Sequence, residues 1–523
     1  MQLLHFTSQQ SLLLIIGGAL LIFSTGVFRN KTKLGLALLF LGSLTLGLFM
    51  ASLDPFLNIW DEQYHALVAK NLSNNLLKPT LYSDPVLNYD YRNWTENAVW
   101  LHKQPLFLWQ MAASIKIFGA NEIAIRLPSA IMHAIIPLFI NRIGKIAVNR
   151  ETGFYGALFF AVAYFPLELI AGTYPTDHND VAFLFYITAS FWAWFEYSQS
   201  KKKYWLLLIG LFGGCAVLVK WLMGLLVFVI WTLVIAFSKE TVKQKLRSFL
   251  PALTSGAISL IVFLPWQLYT HLVFPKVAAY ELKLNSRHFF EAIEKHTEST
   301  WFYFTDGFQM VYGSAALLPF IFLIGLTVMI LKIHDRSHRF FISTAVIFVY
   351  AFYTVAATKM VSFPIIVAPF LFLGLGFLID FSFSILESRL KWTWQITLSA
   401  LRVVVVLVVG YSLLNLSKIE MAHTSKEPDN NRNRSQELRE MEFIESLDKK
   451  LGEEKYVIFN SSITINGHIP VMFYTDHVAY DFVPSKAQIE KLKKQDRRIA
   501  IVDLGNLPTY ILEDEAIRIL TLK

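Results

Sequence analysis

The sequence predicts a polytopic α-helical membrane protein with a small α/β domain at its carboxyl end. Of its 523 residues, 54% are hydrophobic and only 16% are charged, whereas a soluble chain carries about 25% charged residues. Several runs of about 18 or more apolar residues lack any charge, which is typical of membrane-spanning helices. The net charge is +8, but most Lys and Arg residues lie in short loops between spans, so they indicate membrane orientation and we expect no nucleic-acid partner.

The apolar runs predict about 12 spans. They cover residues 11–28, 34–53, 126–146, 153–171, 179–198, 204–219, 221–237, 249–270, 309–331, 339–357, 361–380 and 394–416. Basic residues cluster in every second short loop, as at Lys201, Lys202 and Lys203, and short basic loops stay in the cytoplasm. We therefore expect both termini on the outer side, together with the longer segments 54–125, 271–308 and 417–523.

These segments divide the chain into a predicted membrane domain, 1–416, and an extracytoplasmic domain, 417–523. The loop 54–125 contains two helical stretches. Residues 61–77 predict a helix on the membrane surface, and residues 104–118 predict a second surface helix or a re-entrant helix. In the tail, the helical stretch ELREMEFIESLDKKLG leads to YVIFN and VMFY, and then SKAQIEKLKK precedes RIAIVDL. This alternation predicts a small α/β fold.

Two adjacent acids, Asp61 and Glu62, follow the second predicted span in the stretch NIWDEQYHALVAKNL. One interpretation is structural, because Asp is a preferred N-cap and Glu in a first turn suits the helix dipole. The other is that they are the working acids of a membrane enzyme. The membrane-face position favours this second interpretation, as do the many Tyr and Trp rings in the same loop, which offer flat faces for a sugar.

Four cations lie at predicted outer ends of spans or surface helices: Lys103, Arg126, Lys220 and Lys359. A Lys at a span end is usually an anchor, but a Lys at mid-bilayer such as Lys220 is a functional candidate. A shared phosphate would explain all four, and a helix N-terminus near Lys103 would add donors for it. His102 is either a metal ligand or an ordinary interfacial histidine.

The stretch TYPTDHNDVAF carries three further polar candidates, Asp177, His178 and Asp180, at another outer junction. They form either a metal or acid site or a cap for the span that begins near 179. The residues alone favour neither alternative.

These motifs together resemble the GT-C glycosyltransferases. The likeness lies in the Asp-Glu pair with Tyr64 after it, in Lys103-Gln104-Pro105, in FGANEIAIRLPSA at 118–130 and in ATKMVSFPIIVAPF at 357–370. Lys220 is similar to the Lys of the family's Thr-Lys-Gly element, although this chain has Val219-Lys220-Trp221. The resemblance is to bacterial members of the protein-mannosyltransferase clan, including the lipid A aminoarabinose transferase. It covers about residues 50–380, and the tail matches only in position and α/β character.

The resemblance implies an enzyme of the bacterial inner membrane that moves a sugar from a polyprenyl-phosphate carrier to a lipid, glycan or protein acceptor. It implies that Asp61 is the catalytic acid-base residue, with Glu62 beside it, and that Asp180 is the second family acid. It places Lys103, Lys220 and Lys359 around the donor phosphate. A divalent metal ion is the optional cofactor, with His102 at the ligand position and Glu96 as its alternative.

The residue types suit this chemistry. A carboxylate base takes the proton of the attacking hydroxyl, and the departing phosphate needs positive charge more than a proton donor. A single displacement would then invert the anomeric centre. The competing interpretations are a transporter or flippase of lipid-linked sugars, and a membrane anchor for a C-terminal binding module. We see no inverted repeat of the kind transporters often carry.

Overall fold

The computed structural model describes residues 5–294, 296–313, 317–389, 395–424, 434–452, 454–462, 464–505 and 507–521. Two compact units account for them. The helical unit comprises 6–51 and 129–419. The loop–tail unit comprises 52–128 and the tail from Glu420, with His5. The predicted domain boundary at 416 is the end of the last predicted span, and it stays a prediction. The structure places the tail in one unit with the loop 52–128.

The regular elements are predominantly helical. In the first half of the chain they are α1 (Ser8–Val27), α2 (Thr32–Ala51), α3 (Asp61–Asn74), α4 (Pro105–Phe118), α5 (Glu122–Ala147), α6 (Arg150–Val162), α7 (Tyr164–Ala171), α8 (Asp177–Ser200), α9 (Tyr204–Lys220), α10 (Leu226–Ala236) and α11 (Val242–Val273). The following helices are α12 (Pro275–Arg287), α13 (Asp306–Tyr312), α14 (Leu318–Lys332), α15 (Arg336–Val355), α16 (Ala368–Arg389), α17 (Gln395–Leu414) and α18 (Leu416–Thr424). The tail contains α19 (Arg434–Leu451), β1 (Tyr456–Phe459), α20 (His468–Tyr474), β2 (Val478–Ala479), α21 (Lys486–Lys494), β3 (Arg498–Val502), α22 (Thr509–Leu512) and β4 (Ile517–Leu520).

The predicted polytopic membrane fold is confirmed, with fewer spans than expected. Within the described ranges, eight helices are long and apolar enough to cross a membrane, or nine if α6 and α7, which bend by 44°, form one span. The predicted spans 204–219 and 221–237 belong to a single apolar stretch, Tyr204–Ala236. Lys220 suggested a boundary between them, and the helix does break there: α9 ends at Lys220, Trp221 has a left-handed φ of 56°, and α10 begins at Leu226.

Two other predicted spans fall outside this count. Helix α8 covers the predicted span at 179–198 but carries acids at both ends, including Asp177 and Glu196. It is therefore not among the helices that are apolar enough to cross a membrane. Within the predicted span 309–331, the apolar helix α14 has 15 residues, fewer than the ~20 needed to cross a bilayer.

Close packing in the helical unit depends on small residues. A Cβ atom built on Gly376 of α16 would lie 2.4 Å from the backbone nitrogen of Gly156 in α6. Only glycine permits such an approach, and apolar helices in lipid associate through contacts of this kind.

The loop–tail unit combines two helices of the loop with a parallel sheet of the tail. Helices α3 and α4 appear where surface helices were predicted, although α3 ends at Asn74 and leaves Leu76 outside it, exposed. Tyr64, Leu67, Val68 and Leu72 are buried as their spacing predicted. The tail sheet has the strand order β2-β1-β3-β4, with every pair parallel.

The tail confirms the α/β prediction but not each element. YVIFN and RIAIVDL form β1 and β3, and SKAQIEKLKK forms α21 behind a Ser485 capping box. VMFY was expected to add β character, yet it lies in α20, because a run of four apolar residues does not distinguish a strand from a buried helix turn. Helix α20 packs on α3 within the loop–tail unit.

Candidate active site

Asp61 is the first residue of α3, and it does not cap this helix. The N-cap position is Trp60, which has a left-handed φ of 71° and makes no side-chain capping bond. A non-glycine residue in this region is strained, and such strain clusters at functional sites. The cap interpretation of Asp61 therefore has no support in the geometry of the helix start.

Asp61 faces Lys103, which stands just before α4. The Oδ2 atom of Asp61 lies 3.9 Å from the Nζ atom of Lys103, with 14% and 19% of the two side chains exposed. This separation is longer than a hydrogen bond of 2.7–3.2 Å. The two charges thus attract each other at a partly solvated place without a direct hydrogen bond between these two atoms.

The neighbouring acid has a different environment. Glu62 and Arg126 form a wholly buried pair, with the Nε and Nη2 atoms of Arg126 donating to the carboxylate at 2.7 and 2.8 Å. Arg126 also donates to the carbonyl oxygens of Asp54 and Phe56, and Glu62 accepts from the backbone N–H of Asn58. These bonds hold the loop before α3 against the start of α5.

This environment changes the expected roles of Glu62 and Arg126. Both side chains are 0% exposed, and a charge so placed needs its partner for stability. Arg126 was predicted to bind a donor phosphate and Glu62 to share in catalysis. Their mutual pairing stabilises the fold, and a ligand could reach either only by breaking the pair, so both roles stay predictions.

Asp54 is a central residue that the sequence analysis did not identify. It accepts hydrogen bonds from Arg434 and from Asn58, and its Oδ2 atom lies 2.9 Å from the Nδ1 atom of His423. The side chains of Asp54 and His423 are fully buried. A single Asp after a span is a weak signal, and its partners His423 and Arg434 lie more than 360 residues away in sequence.

Aromatic rings border the same region of the loop–tail unit. Trp94 stacks on His102 with 4.5 Å between ring centroids, and Tyr64 contacts Trp94 edge to face at 4.9 Å. Burial raises the pKa of Tyr64, and the nearby carboxylates Asp481 and Glu96 raise it further. Tyr64 therefore keeps its proton at neutral pH.

The predicted metal site has little support in these surroundings. The His102 ring is 4% exposed and covered by Trp94, whereas Glu96 is exposed. In the described part of the chain, no group of three or more His, Cys, Asp or Glu side chains could hold a metal ion. The residues do not offer a ligand set for a divalent ion, and the metal stays a prediction.

A second charged cluster lies in the helical unit. Lys220, the last residue of α9, donates to Asp180 in the first turn of α8, and its ammonium lies 4.6 Å from the centre of the Phe363 ring. Thr176 donates to the other oxygen of Asp180 and lies 3.1 Å from the Ser362 hydroxyl. The structure thus pairs Asp180 with Lys220, a partnership that the sequence did not predict.

The N-cap of α8 is Thr176, with a φ of 66° and no side-chain capping bond. Asp177 and Asp180 are therefore not N-caps, which was one of the two alternatives for this stretch. His178 lies 3.0 Å from the Ser129 hydroxyl through its Nδ1 atom.

Lys359 has a structural position. It is 5% exposed, and its ammonium donates to the carbonyl oxygens of Tyr353, Thr354 and Ala356 at the end of α15. Burial lowers the pKa of Lys359. Three acceptors use all three ammonium hydrogens, so this lysine caps α15 where a phosphate contact was predicted.

Comparisons with known proteins agree with the predicted resemblance. A family model described as dolichyl-phosphate-mannose-protein mannosyltransferase matches residues 102–269, which include Lys103 and Lys220. An uncharacterised protein of Aquifex aeolicus (strain VF5) is 30% identical over 226 residues, 41% of this chain and 40% of that protein. The match therefore spans well under half the length of this curated relative.

Solved structures share the fold. ArnT from Cupriavidus metallidurans in the apo state has a TM-score of 0.62 at 14% identity, over 90% of this chain and 89% of that one. ArnT bound to undecaprenyl phosphate gives 0.61 at 12%, over 92% and 89%. The apo oligosaccharyltransferase of Archaeoglobus fulgidus gives 0.56 at 12%, over 88% and 66%. The fold and the family-model match confirm the predicted resemblance to GT-C glycosyltransferases of the protein-mannosyltransferase and ArnT type.

Proposed function

We propose that this chain is an inverting glycosyltransferase that passes a sugar from a polyprenyl-phosphate carrier to a hydroxyl group of an acceptor. The observation that carries the proposal is the contact of Asp61 with Lys103. The Asp61 carboxylate and the Lys103 ammonium lie 3.9 Å apart and are partly exposed, whereas the adjacent Glu62 is buried in an ion pair with Arg126.

Asp61 is the general base in this proposal. The acceptor oxygen forms a bond to the anomeric carbon, the bond from that carbon to the phosphate oxygen breaks, and the acceptor proton passes to the Asp61 carboxylate. Lys103, 3.9 Å from this carboxylate, is the cation that we assign to the phosphate that leaves. No covalent sugar–enzyme intermediate is needed, so the configuration inverts.

Lys220 remains a cation that the sequence resemblance predicts for the donor. Its side chain is 19% exposed and its ammonium pairs with Asp180, so the pair keeps a charged lysine in an apolar helical unit. We assign neither Arg126 nor Lys359 to the donor, because they are only 0% and 5% exposed and carboxylate or carbonyl oxygens accept their hydrogen bonds. No step of the proposal passes through a metal ion.

The comparisons support the class of donor. The similar ArnT structure holds undecaprenyl phosphate, and an archaeal oligosaccharyltransferase, AglB, holds dolichol phosphate with an inhibitory peptide. For this chain we propose a multi-pass protein of the bacterial inner membrane that acts on its outer face. The acceptor is a lipid, glycan or protein.

The test is transfer by purified protein in nanodiscs, with radiolabelled polyprenyl-phosphate sugar as donor. Asp61→Asn should lower turnover by roughly 10²–10⁴-fold, because an amide cannot take the proton. Asp90→Asn is the matched control, since Asp90 lies in the same loop in an exposed pair with Arg92, and it should transfer at the parental rate.

Two results would oppose the proposal. If Asp61→Asn transfers sugar at the parental rate, Asp61 is not the general base. Movement of labelled carrier across proteoliposomes by the parent, with no sugar transferred, would favour the transporter interpretation.

A further inference from the structure

A cavity of about 250 Å³ lies within the loop–tail unit, at the amino ends of β1 and β2. Helix α3 lines it with Leu67, Lys70, Asn71 and Asn74, whose spacing places them on one face of the helix. Lys70 follows Asp61 on the same helix at a distance of about 14 Å along the axis, from a rise of ~1.5 Å per residue. The cavity is thus joined to the candidate base by one rigid element.

Lys70 forms part of the inner wall. Its ammonium donates to the carbonyl oxygens of Met472 and Thr475 at 2.9 and 2.7 Å, which fixes it at the end of α20. Burial lowers the pKa of Lys70, and Asp476, at 4.0 Å, opposes that shift. The wall therefore presents a positioned lysine beside a carboxylate.

His477 also lines the cavity, and it has one hydrogen-bonding atom without a partner. Its side chain is 7% exposed, and its Nδ1 atom accepts from the backbone N–H of Tyr456 at 3.3 Å. The proton of the neutral ring therefore lies on Nε2. Nε2 is buried, and no atom of the described residues accepts from it. A buried donor in this state costs free energy, and an acceptor on a bound molecule restores it once the ring turns Nε2 toward the cavity.

The charges around the cavity are of both signs, with Lys70, Lys455 and Arg497 beside Asp84 and Asp476. Arg497 lies 2.7 Å from Asp84, and Lys455 lies 3.9 Å from Asp476. A bound anion would approach both carboxylates and would have to compete for cations that already have partners. A sugar hydroxyl suits such pairs better, because it donates to a carboxylate and accepts from an ammonium or guanidinium group.

The size of the cavity is also suitable. At ~30 Å³ per water molecule, it holds on the order of eight waters, which is about the room needed for one sugar ring with its hydroxyls. Tyr82 and Tyr456 line the walls, and aromatic rings offer flat apolar surfaces to such a ligand.

We infer that this cavity binds one neutral saccharide unit, and that the acceptor of the transfer is itself a glycan that reaches from Asp61 to His477. The assignment of this unit to the acceptor rests on the proposed function. The binding of a saccharide in the cavity does not.

Saturation-transfer NMR tests the binding directly, with the full chain in nanodiscs and the methyl glycosides of glucose, galactose, mannose and N-acetylglucosamine as probes. At least one glycoside should receive saturation from the parent. Asp476→Asn and His477→Phe should each weaken its binding by about tenfold, as expected for the loss of one hydrogen bond to a charged or buried group. Asp90→Asn is the matched control and should bind like the parent.

Asp61→Asn separates this inference from the proposed function. It should lose transfer and keep glycoside binding. If the parent binds a glycoside but transfers no sugar, the cavity is still a saccharide site, but the bound unit is not part of a transfer acceptor. Transfer without binding of any of the four glycosides would overturn the inference alone. Displacement of the glycoside by inorganic phosphate, or undiminished binding in both cavity variants, would also overturn it.

Discussion

The carboxylate of Glu62 accepts two hydrogen bonds from Arg126, at 2.7 and 2.8 Å, and neither side chain is exposed. One residue earlier, the Asp61 carboxylate is partly exposed and lies 3.9 Å from Lys103. Successive residues of a helix point about 100° apart. Two adjacent acids in one sequence motif can therefore serve structure and chemistry separately.

We predict that Glu62→Gln destabilises the protein. The change leaves the Arg126 guanidinium buried without its counter-charge, and breaking a buried pair in this way costs roughly 3–5 kcal/mol. Thermal unfolding of the purified protein in detergent measures the effect as a lower Tm. Asp90→Asn, in an exposed pair, should leave the Tm unchanged. An unchanged Tm in Glu62→Gln would contradict the structural role of the pair.

We predict that Lys103→Ala weakens donor binding without unfolding the protein. Its side chain is partly solvated and pairs with Asp61 at a distance too long for a hydrogen bond. Loss of the cation should raise the KM for polyprenyl-phosphate sugar, and Lys103→Arg should restore part of the affinity because the charge remains. Parental donor affinity in Lys103→Ala, measured by titration, would remove this lysine from the donor site.

Lys359→Met should behave in the opposite way. The ammonium caps three carbonyl oxygens at the end of α15, and their loss of a partner should lower the Tm. In the folded fraction we expect donor affinity near the parental value. If Lys359→Met keeps the parental Tm but loses much of its donor affinity, Lys359 binds the donor phosphate, as predicted from the sequence.

The loop–tail unit should lose stability in mild acid. Burial lowers the pKa of His468 from 6.5 to about 4, and Asp481 only partly opposes this shift. The histidine is neutral in the folded protein at pH values where the unfolded chain already takes up a proton. Its contribution to stability is therefore present above pH 6.5 and is lost as the pH falls toward 4.

His468→Phe isolates this effect, because it keeps an aromatic ring and removes the titrating group. The Tm of the parent should fall between pH 6.5 and 4 more steeply than that of the variant. Parallel Tm profiles for the two proteins over this window would exclude His468 as the cause.

The sequence by itself determined the class of the protein and the position of its candidate base. Long apolar runs without charge form membrane helices, because a helix satisfies its own backbone hydrogen bonds in lipid. Helical spacing was sufficient to locate α3 and α4. Asp61 and Lys103 could be selected because a short motif places them beside helix starts. These signals are local, so they can be recognised along the chain without knowledge of the fold.

Only the tertiary structure decided which charges are available to a ligand. Glu62, Arg126 and Lys359 have the same residue types as the predicted site. Glu62 and Arg126, however, pair with each other across 64 positions, and Lys359 turns back on the carbonyl oxygens at the end of α15. The contacts of Asp54 with His423 and of Lys70 with Met472 join residues 369 and 402 positions apart. Composition and periodicity carry no record of such pairs, since burial and pairing arise from the way the chain returns on itself, and these decide whether a charge stabilises the fold or meets a substrate.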